Sequence, residues 1–453
     1  MNRARFNSGA KLLTSLGLAL AFAISSRSTF AADVSRGEVP GRRLATLGDA
    51  QPETRTPTPA WFEDHLADPV LRELALNRYS DHQRLTRADM LAIFRNAAET
   101  KTIDAVQFQT LSTLVRNARF LGMPAYVADL SRKVVLGDPA NANFQQQPLG
   151  NLKVGSSASQ LDRLVRKWFL GEDLPALDSG LHYEKSAGVL FEGSPKLRDL
   201  HQGDLGDCYF IATLGEVALR NPEQVSHMFI DNRDGTFTVR FFHDNKPWYV
   251  TVDRQLPVND KGRFVYENRG DAANNPKNIL WVALAEKALA QLNESGWFKT
   301  VGPTGVNSFA AIGAGGKSKL ALPLVTGLGT ARDGVESLGG FAKGELELAN
   351  SKPDGVPAYL IPHHSYVVVG YDADSQQVTL FNPWGLHGTK KDVKYGQFNM
   401  SWNDFAADFQ NIDHAATHVR TDLASTKSSP KNLARTAGPN APHIRTTGFE
   451  TGR

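Results

Sequence analysis

The chain has two textures that meet near Gly180. Up to about Leu170, apolar residues recur at helical spacing. Thr86-Arg87-Ala88-Asp89 opens a run carrying Met90, Ile93 and Phe94. Val106, Phe108, Leu111, Leu114 and Val115 continue the pattern, followed by Val127, Leu130 and Val134, then Leu161, Val165 and Phe169. These stripes predict a helical bundle. Beyond Gly180, alternation takes over. Residues 236–242, after an Arg-Asp-Gly turn, and residues 248–252 read as strands. Residues 281–292 read as a helix with Leu284, Ala288 and Leu292 on one face. Residues 359–361, 365–371 and 378–381 read as strands, the last two joined by Asp372-Ala373-Asp374-Ser375. The expected fold class is α+β, with an α-rich start and a β-rich end.

The two ends fall outside this pattern. Arg3, Arg5 and Lys11 precede an uncharged run of 13 residues, Leu12 to Ile24. At 1.5 Å per residue it is too short for a hydrocarbon core of roughly 30 Å. Small residues close it at Thr29-Phe30-Ala31-Ala32, so residues 1–32 read as a secretory signal peptide, with an uncleaved anchor helix as the alternative. The mature protein is expected to be exported, to the periplasm or the medium, with no stable membrane insertion. Residues 33–60 form a Pro/Thr-rich linker, and residues 61–180 the helical region. Residues 424–453, rich in Ser, Thr, Pro and Asn, read as a disordered basic tail.

Charge then changes meaning. The whole chain is +3, with 50 basic and 47 acidic residues. Without residues 1–32, 46 basic residues face 47 acidic ones, a net charge of −1. Without the tail as well, 41 face 46, a net charge of −5. That removes the argument for a nucleic-acid partner. The single cysteine excludes an internal disulfide framework and any multi-thiolate metal site.

That cysteine carries the candidate chemistry. It lies in Gln202-Gly203-Asp204-Leu205-Gly206-Asp207-Cys208-Tyr209-Phe210, ahead of a helical stripe of Phe210, Leu214 and Val217 that breaks at Pro222. A thiol at a helix start meets free N–H groups and the positive end of the dipole, both of which favour thiolate. The two glycines allow a tight loop whose N–H groups approach a substrate carbonyl. Gln202 could bring a side-chain amide to the same place. The competing reading is a buried, inert cysteine, the commoner fate of free thiols. Candidate partners stand downstream. His363-His364-Ser365 begins one strand, and Phe381-Asn382-Pro383-Trp384 ends the next. Two antiparallel strands joined by a short turn bring their far ends together, so Asn382 can orient the His364 ring and Trp384 can shield the contact.

With these residues in view, the segment from about Leu190 to Leu423 resembles the calpain family of papain-like cysteine proteases. The family's Q-G-x-L-G-D-C-W stands here as Q-G-D-L-G-D-C-Y, its G-H-A-Y-S-V as His363-His364-Ser365-Tyr366-Val367-Val368, and its N-P-W-G unchanged at 382–385. Weaker echoes are Tyr249-Val250-Thr251-Val252-Asp253, Leu284-Ala285-Glu286-Lys287-Ala288 and Met400-Ser401-Trp402. The resemblance implies two protease subdomains, residues 181–320 with the cysteine and residues 321–423 with histidine and asparagine. It implies Cys208 as nucleophile, His364 as general base and then acid, Asn382 as the orienting residue and Gln202 in the oxyanion hole. Tyr209 replaces a Trp, Asp204 adds a carboxylate near the thiol, and His363 replaces a glycine beside the base. The activity implied is that of an endopeptidase acting on protein or peptide, with no cofactor required for the chemistry. Calcium is the family's regulator. Asp199 matches a calcium-binding position, but its carboxylate partner cannot be placed in the divergent stretch 267–278.

Other features read as ordinary. Asp231-Asn232-Arg233-Asp234-Gly235 lacks EF-hand ligand order and reads as a hairpin turn. Gly313-Ala314-Gly315-Gly316-Lys317-Ser318 lacks the first glycine of a P-loop, which would fall at Ala311. His414 and His418 have the spacing of a zinc helix without its Glu. Acyl transfer to amines at the same thiol, a non-catalytic binding protein on a protease fold, and a helical region that blocks the cleft remain as alternative readings.

Overall fold

A computed structural model describes residues 56–340, 344–388 and 390–415. The expected signal segment, the tail and His418 lie outside them. The described residues open with six helices: α1 (Pro59–His65), α2 (Pro69–His82), α3 (Arg87–Ala97), α4 (Ala105–Arg116), α5 (Ala125–Val135) and α6 (Ala158–Trp168). Local chemistry sets several starts. Thr58, Asp68, Thr86, Asp104 and Ser157 each accept the backbone N–H three residues on. Thr86 with Asp89 and Asp104 with Gln107 close reciprocal capping boxes. The stripes read from sequence converge on one core of Ile93, Phe94, Leu111, Leu114, Leu130, Val134, Leu161 and Phe169. Val106, counted in the same periodicity, is exposed. Short strands β1 (Asn143–Phe144) and β2 (Gln147–Pro148) pair between α5 and α6.

Next come β3 (His182–Lys185), α7 (Cys208–Arg220) and α8 (Pro222–Ser226). Strands β4 (Phe229–Asp231), β5 (Thr236–His243) and β6 (Lys246–Asp253) form an antiparallel sheet, and β7 (Gln255–Val258) pairs with β3. The 231–235 segment is the β4–β5 hairpin turn. There, Asp231 and Asp234 accept local N–H groups, and Asp234 is paired with Arg87 at 2.8 Å. Helices α9 (Trp281–Asn293), α10 (Phe309–Gly313) and α11 (Ser318–Thr326) follow. Residue 320 lies inside α11, whose Ala321, Leu322 and Val325 share the core of α7 and α9.

The chain enters a six-stranded antiparallel sheet at Thr330. Its strands are β8 (Thr330–Asp333), β9 (Leu346–Ser351), β10 (Ser365–Asp372), β11 (Gln377–Asn382), β12 (Gly396–Ser401) and β13 (Phe409–Ala415), in the order β12-β11-β10-β9-β13-β8. Leu346, Leu348, Val367 and Phe381 face α7, while Tyr366, Val368, Leu380 and Ile412 face a second core with Phe405 from α12 (Trp402–Asp408). This alternation is the period-two rule applied to a sheet buried on both faces. The observed class is the expected α+β: a helical region ahead of a core that packs helices against antiparallel sheets. One expected strand is absent. Tyr359–Ile361 lies between Pro357 and Pro362 and forms a turn, with Leu360 N–H on the Pro357 carbonyl. Strand β9 takes the place beside β10 instead.

Buried cations fasten the helical region to the rest. Lys133 is fully buried. Its Nζ donates to the Tyr249 carbonyl at 2.5 Å, pairs with Asp129 at 2.8 Å and lies 4.1 Å from the centroid of the Trp248 ring. Lys167, also fully buried, pairs with Asp173 and reaches Glu294 at 2.5 Å beyond the end of α9. Removing one partner of such a pair leaves charge stranded without water. Lys167→Met should therefore cost about 3–5 kcal/mol in a urea titration. A loss below about 1 kcal/mol, as at exposed pairs, would show that the contact does not hold the layers together.

Candidate active site

The β10–β11 register builds the site. Val367 pairs with Phe381, so the residues flanking this end of the hairpin meet. His364 Nε2 lies 3.0 Å from Asn382 Oδ1. The neighbours of Asn382 fix the roles. Its Nδ2 donates to the Lys394 carbonyl at 2.9 Å, and its Oδ1 accepts the Trp384 N–H at 3.0 Å. Oδ1 is therefore the acceptor, Nε2 carries the proton, and Nδ1 of a neutral ring is left with its lone pair. Tyr366 and Trp384 stand edge-on to the ring, at centroid distances of 4.9 and 5.6 Å. His364 is buried, and Ser351 on β9 brackets its backbone: Oγ accepts the His364 N–H at 2.9 Å, and the Ser351 N–H reaches the His364 carbonyl at 2.9 Å. His363 is exposed and holds a left-handed φ of 52°, a conformation that glycine accepts more readily. Of the two neighbours, only His364 contacts Asn382.

Cys208 is the first residue of α7 and is half-buried. The loop before it is held on both sides. Gln202 N–H donates to the Pro383 carbonyl at 3.0 Å, Asp204 N–H to Val265 at 3.1 Å, and Gly206 N–H to Gly313 at 3.0 Å. Both glycines are required by space. A Cβ at 203 would lie 2.1 Å from the Tyr266 carbonyl oxygen, and one at 206 would lie 2.5 Å from that of Gly313. Cys208 and His364 line one cleft of about 1200 Å³, with Gln202, the 313–317 segment and Trp384. The P-loop-like segment is a wall of this cleft. Tyr209, in place of Trp, packs its ring where a Cβ at Gly316 would clash and donates its hydroxyl to the Ile312 carbonyl at 3.2 Å.

Burial governs the electrostatics. It pushes the Cys208 thiol up to about 11, against hydrogen bonding from Ser365 and with Asp207 adding to the rise. It pulls the His364 imidazole down to about 4, against the Asn382 bond. Burial thus works against the thiolate that the helix position favours. The expected acid beside the thiol is also corrected. Asp204 forms a half-exposed pair with Arg269 at 2.9 Å, whereas buried Asp207 acts on Cys208. Burial raises Asp207 to about 7, and raises Glu267 and Glu286 well above the carboxylate range. One oxygen of each has no partner. Neither glutamate was marked by the sequence as part of the site.

Gln202 is in the cleft wall but not idle. Its Nε2 donates to the Leu205 carbonyl at 2.8 Å and to Asp207 Oδ1 at 3.1 Å. Asp199 has one carboxylate oxygen engaged by local donors. Its Oδ2 is occupied by Trp281 Nε1–H at 3.0 Å and Lys196 N–H at 2.9 Å. Among the described residues, no group of three His, Cys, Asp or Glu is placed to hold a metal. His414 lies on β13 and meets Asp333 at 2.7 Å, in a strand rather than a helix.

Residues 184–390 match the model of the calpain family cysteine proteases. Human calpain-14 is 35% identical over 105 residues, 22% of this chain and 15% of that protein. Caenorhabditis elegans calpain clp-4 is 27% identical over 243 residues, 48% of this chain and 30% of its own. Rat calpain-13 is 23% identical over 302 residues, 55% and 42% respectively. The chain spans less than half the length of these relatives.

The buried acids make stability depend on pH. In the folded chain Asp207 keeps its proton to about pH 7, and Glu267 and Glu286 are shifted the same way, from ordinary values of 3.8 and 4.5. Their contribution is complete below those ordinary values and is lost as pH rises through the folded ones. His364 has the opposite sign: its contribution is present above 6.5 and lost as pH falls through about 4. Glu267→Gln keeps an acceptor for the His201 N–H and removes one acid. It should raise the melting temperature at pH 8 and flatten the decline between pH 5 and 8. A melting temperature lowered equally at every pH would contradict this.

Proposed function

Taking residues 184–390 as a calpain-family cysteine protease domain, we propose that the protein is an endopeptidase acting through Cys208, His364 and Asn382. The observation that carries this reading is the Nε2–Oδ1 bond of 3.0 Å, which leaves Nδ1 as a base in the same cleft as the thiol. Substrate binding brings a peptide carbonyl to Cys208. Sγ attacks the carbonyl carbon as its proton passes to Nδ1, forming the imidazolium that Asn382 orients. The Cys208 N–H, at the first helical position, has no acceptor within the helix and serves the oxyanion. Gln202 adds a second donor once one of its hydrogens leaves Asp207. The tetrahedral adduct collapses to a thioester, and the amine departs with the proton from Nδ1. Water then gives a proton to Nδ1, attacks the thioester and releases the acid, and the proton returns to sulfur.

No cofactor is required for this chemistry, and no step is routed through calcium. Export is proposed from the charged start and short apolar run of residues 1–32, and protein or peptide is the proposed partner. The helical region is proposed as a clamp rather than a plug. Every residue lining the cleft is at His201 or later, while α5 and α6 fasten to β6 and the end of α9. In hydrolysis of an unfolded protein, Cys208→Ala should show no turnover. Asn382→Ala should lower kcat/KM on the order of 10²-fold or more, as expected when a general base loses its orientation. Equal turnover by Cys208→Ala and the parent would sink the proposal.

A further inference from the structure

The cleft carries a charge that the chain as a whole does not. The body of the chain is net −5, yet four side chains that are cationic at neutral pH line the cleft: Arg269, Lys317, Arg332 and Lys390. Among the described residues that line it, Asp204 is the one carboxylate. Two of the four cations are already spent. Arg269 holds Asp204 at 2.9 Å, and Arg332 holds Asp413 through two bonds of 2.5 and 2.6 Å. Asp413 is fully buried and is further held by Asn350 at 3.0 Å, so this pair is part of the wall. Lys317 and Lys390 are exposed and have no carboxylate partner among the described residues.

Their positions follow the reaction. Lys390 Nζ lies 4.7 Å from the centroid of the Trp384 ring, and that ring stands 5.6 Å from the His364 ring. The departing amine must meet His364 to take its proton, so the Trp384 side receives the part of the substrate C-terminal to the scissile bond. Contact with the indole face restrains the ammonium group and leaves it able to meet a carboxylate. Lys317 closes the glycine segment that borders Cys208 through the Gly206–Gly313 bond, and its neighbour Ser318 meets Ser365 at 2.7 Å. Local positive charge in a low-dielectric cleft concentrates anionic ligands and disfavours cationic ones.

Building on the protease reading above, we propose that the cleft selects acidic peptide segments, with Lys390 reading a carboxylate C-terminal to the scissile bond and Lys317 reading a second near the thiol. This accounts for two ammonium groups in the cleft that have no carboxylate partner among the described residues, in a protein whose body is net acidic. The preference is electrostatic, so salt weakens it.

The test uses full-length protein and one peptide scaffold with Asp, Ala or Lys on either side of the cleaved bond. The expected order of kcat/KM is acidic, then neutral, then basic, with about tenfold between acidic and neutral at low salt and less at 0.5 M salt, where exposed charges are screened. Lys390→Glu should invert the order for charges C-terminal to the cut. Lys317→Glu should invert it for charges placed on the other side. Equal kcat/KM for acidic and neutral peptides, or an order unchanged in both variants, would overturn the proposal. If no peptide of any charge is cleaved, the protease reading fails separately. Anisotropy of the labelled peptides with Cys208→Ala protein then ranks the affinities, and acidic peptides binding no tighter than basic ones would overturn the proposal on their own.

Discussion

Helix α7 is buried from Tyr209 to Ala218, and the site depends on where that helix is forced to lie. It packs between α9 and α11 and the face of β9 and β10. Gly215 permits the closest approach. A Cβ there would stand 2.6 Å from Leu200 and 3.1 Å from Val367. At the far end, Arg220 pairs with Glu216 and donates to the Val368 and Val369 carbonyls at 2.7 and 3.0 Å, tying the helix to the β10 backbone. A helix held this way has no freedom to slide, so its first residue stays opposite the residues that lead into β10. The active site is therefore a consequence of packing between the two halves rather than of either half alone. Leu346, Leu348, Val367 and Phe381 of the sheet belong to the same apolar cluster as Phe210, Leu214 and Val217.

That packing also decides the electrostatics. A helix N-terminus favours an anion by about 0.3–1 kcal/mol at an exposed site and up to about 2 kcal/mol when partly buried. One unit of pKa is about 1.4 kcal/mol, so position on the helix lowers a thiol by about one unit. Burial shifts ionisable groups by up to about 3–5 units, and at Cys208 and His364 it is the larger effect. The acids beneath the nucleophile obey the same rule. Burial raises Asp207, Glu267 and Glu286 where no cation offsets it, and each proton kept by Asp207 removes negative charge from beside the sulfur. Hydrogen bonding around His364 supplies order where charge does not, through Ser351 on its backbone and Asn382 on its ring.

The features legible in the sequence are those written within a few residues. Capping boxes at Thr86 and Asp104, the hairpin that joins β10 to β11, and the pairing of its far ends each follow from local spacing. What the chain conceals depends on distant backbone. Leu346–Ser351 alternates only weakly and ends in small polar residues, yet it is the strand that holds His364, because both of its faces are buried. Tyr359–Ile361 has strand-like residues but is bracketed by prolines and becomes a turn. Gln202 shows a suitable amide without showing that Leu205 and Asp207 already occupy it. Glu267 and Glu286 come from segments far along the chain, so nothing near Cys208 announces them. Asp199 shows a carboxylate without showing that Trp281 and Lys196 share one of its oxygens. The chain has one cysteine, so its chemistry can be tested by itself.

The proposed catalysis rests on acylation of Cys208 with His364 taking its proton. The most direct measurement is the mass of the protein, mapped to peptides, after millisecond quenching with an activated acyl ester. One acyl group should form on Cys208 in the parent, and far more slowly in His364→Ala. Acylation at another residue, or at the same rate without His364, would contradict it.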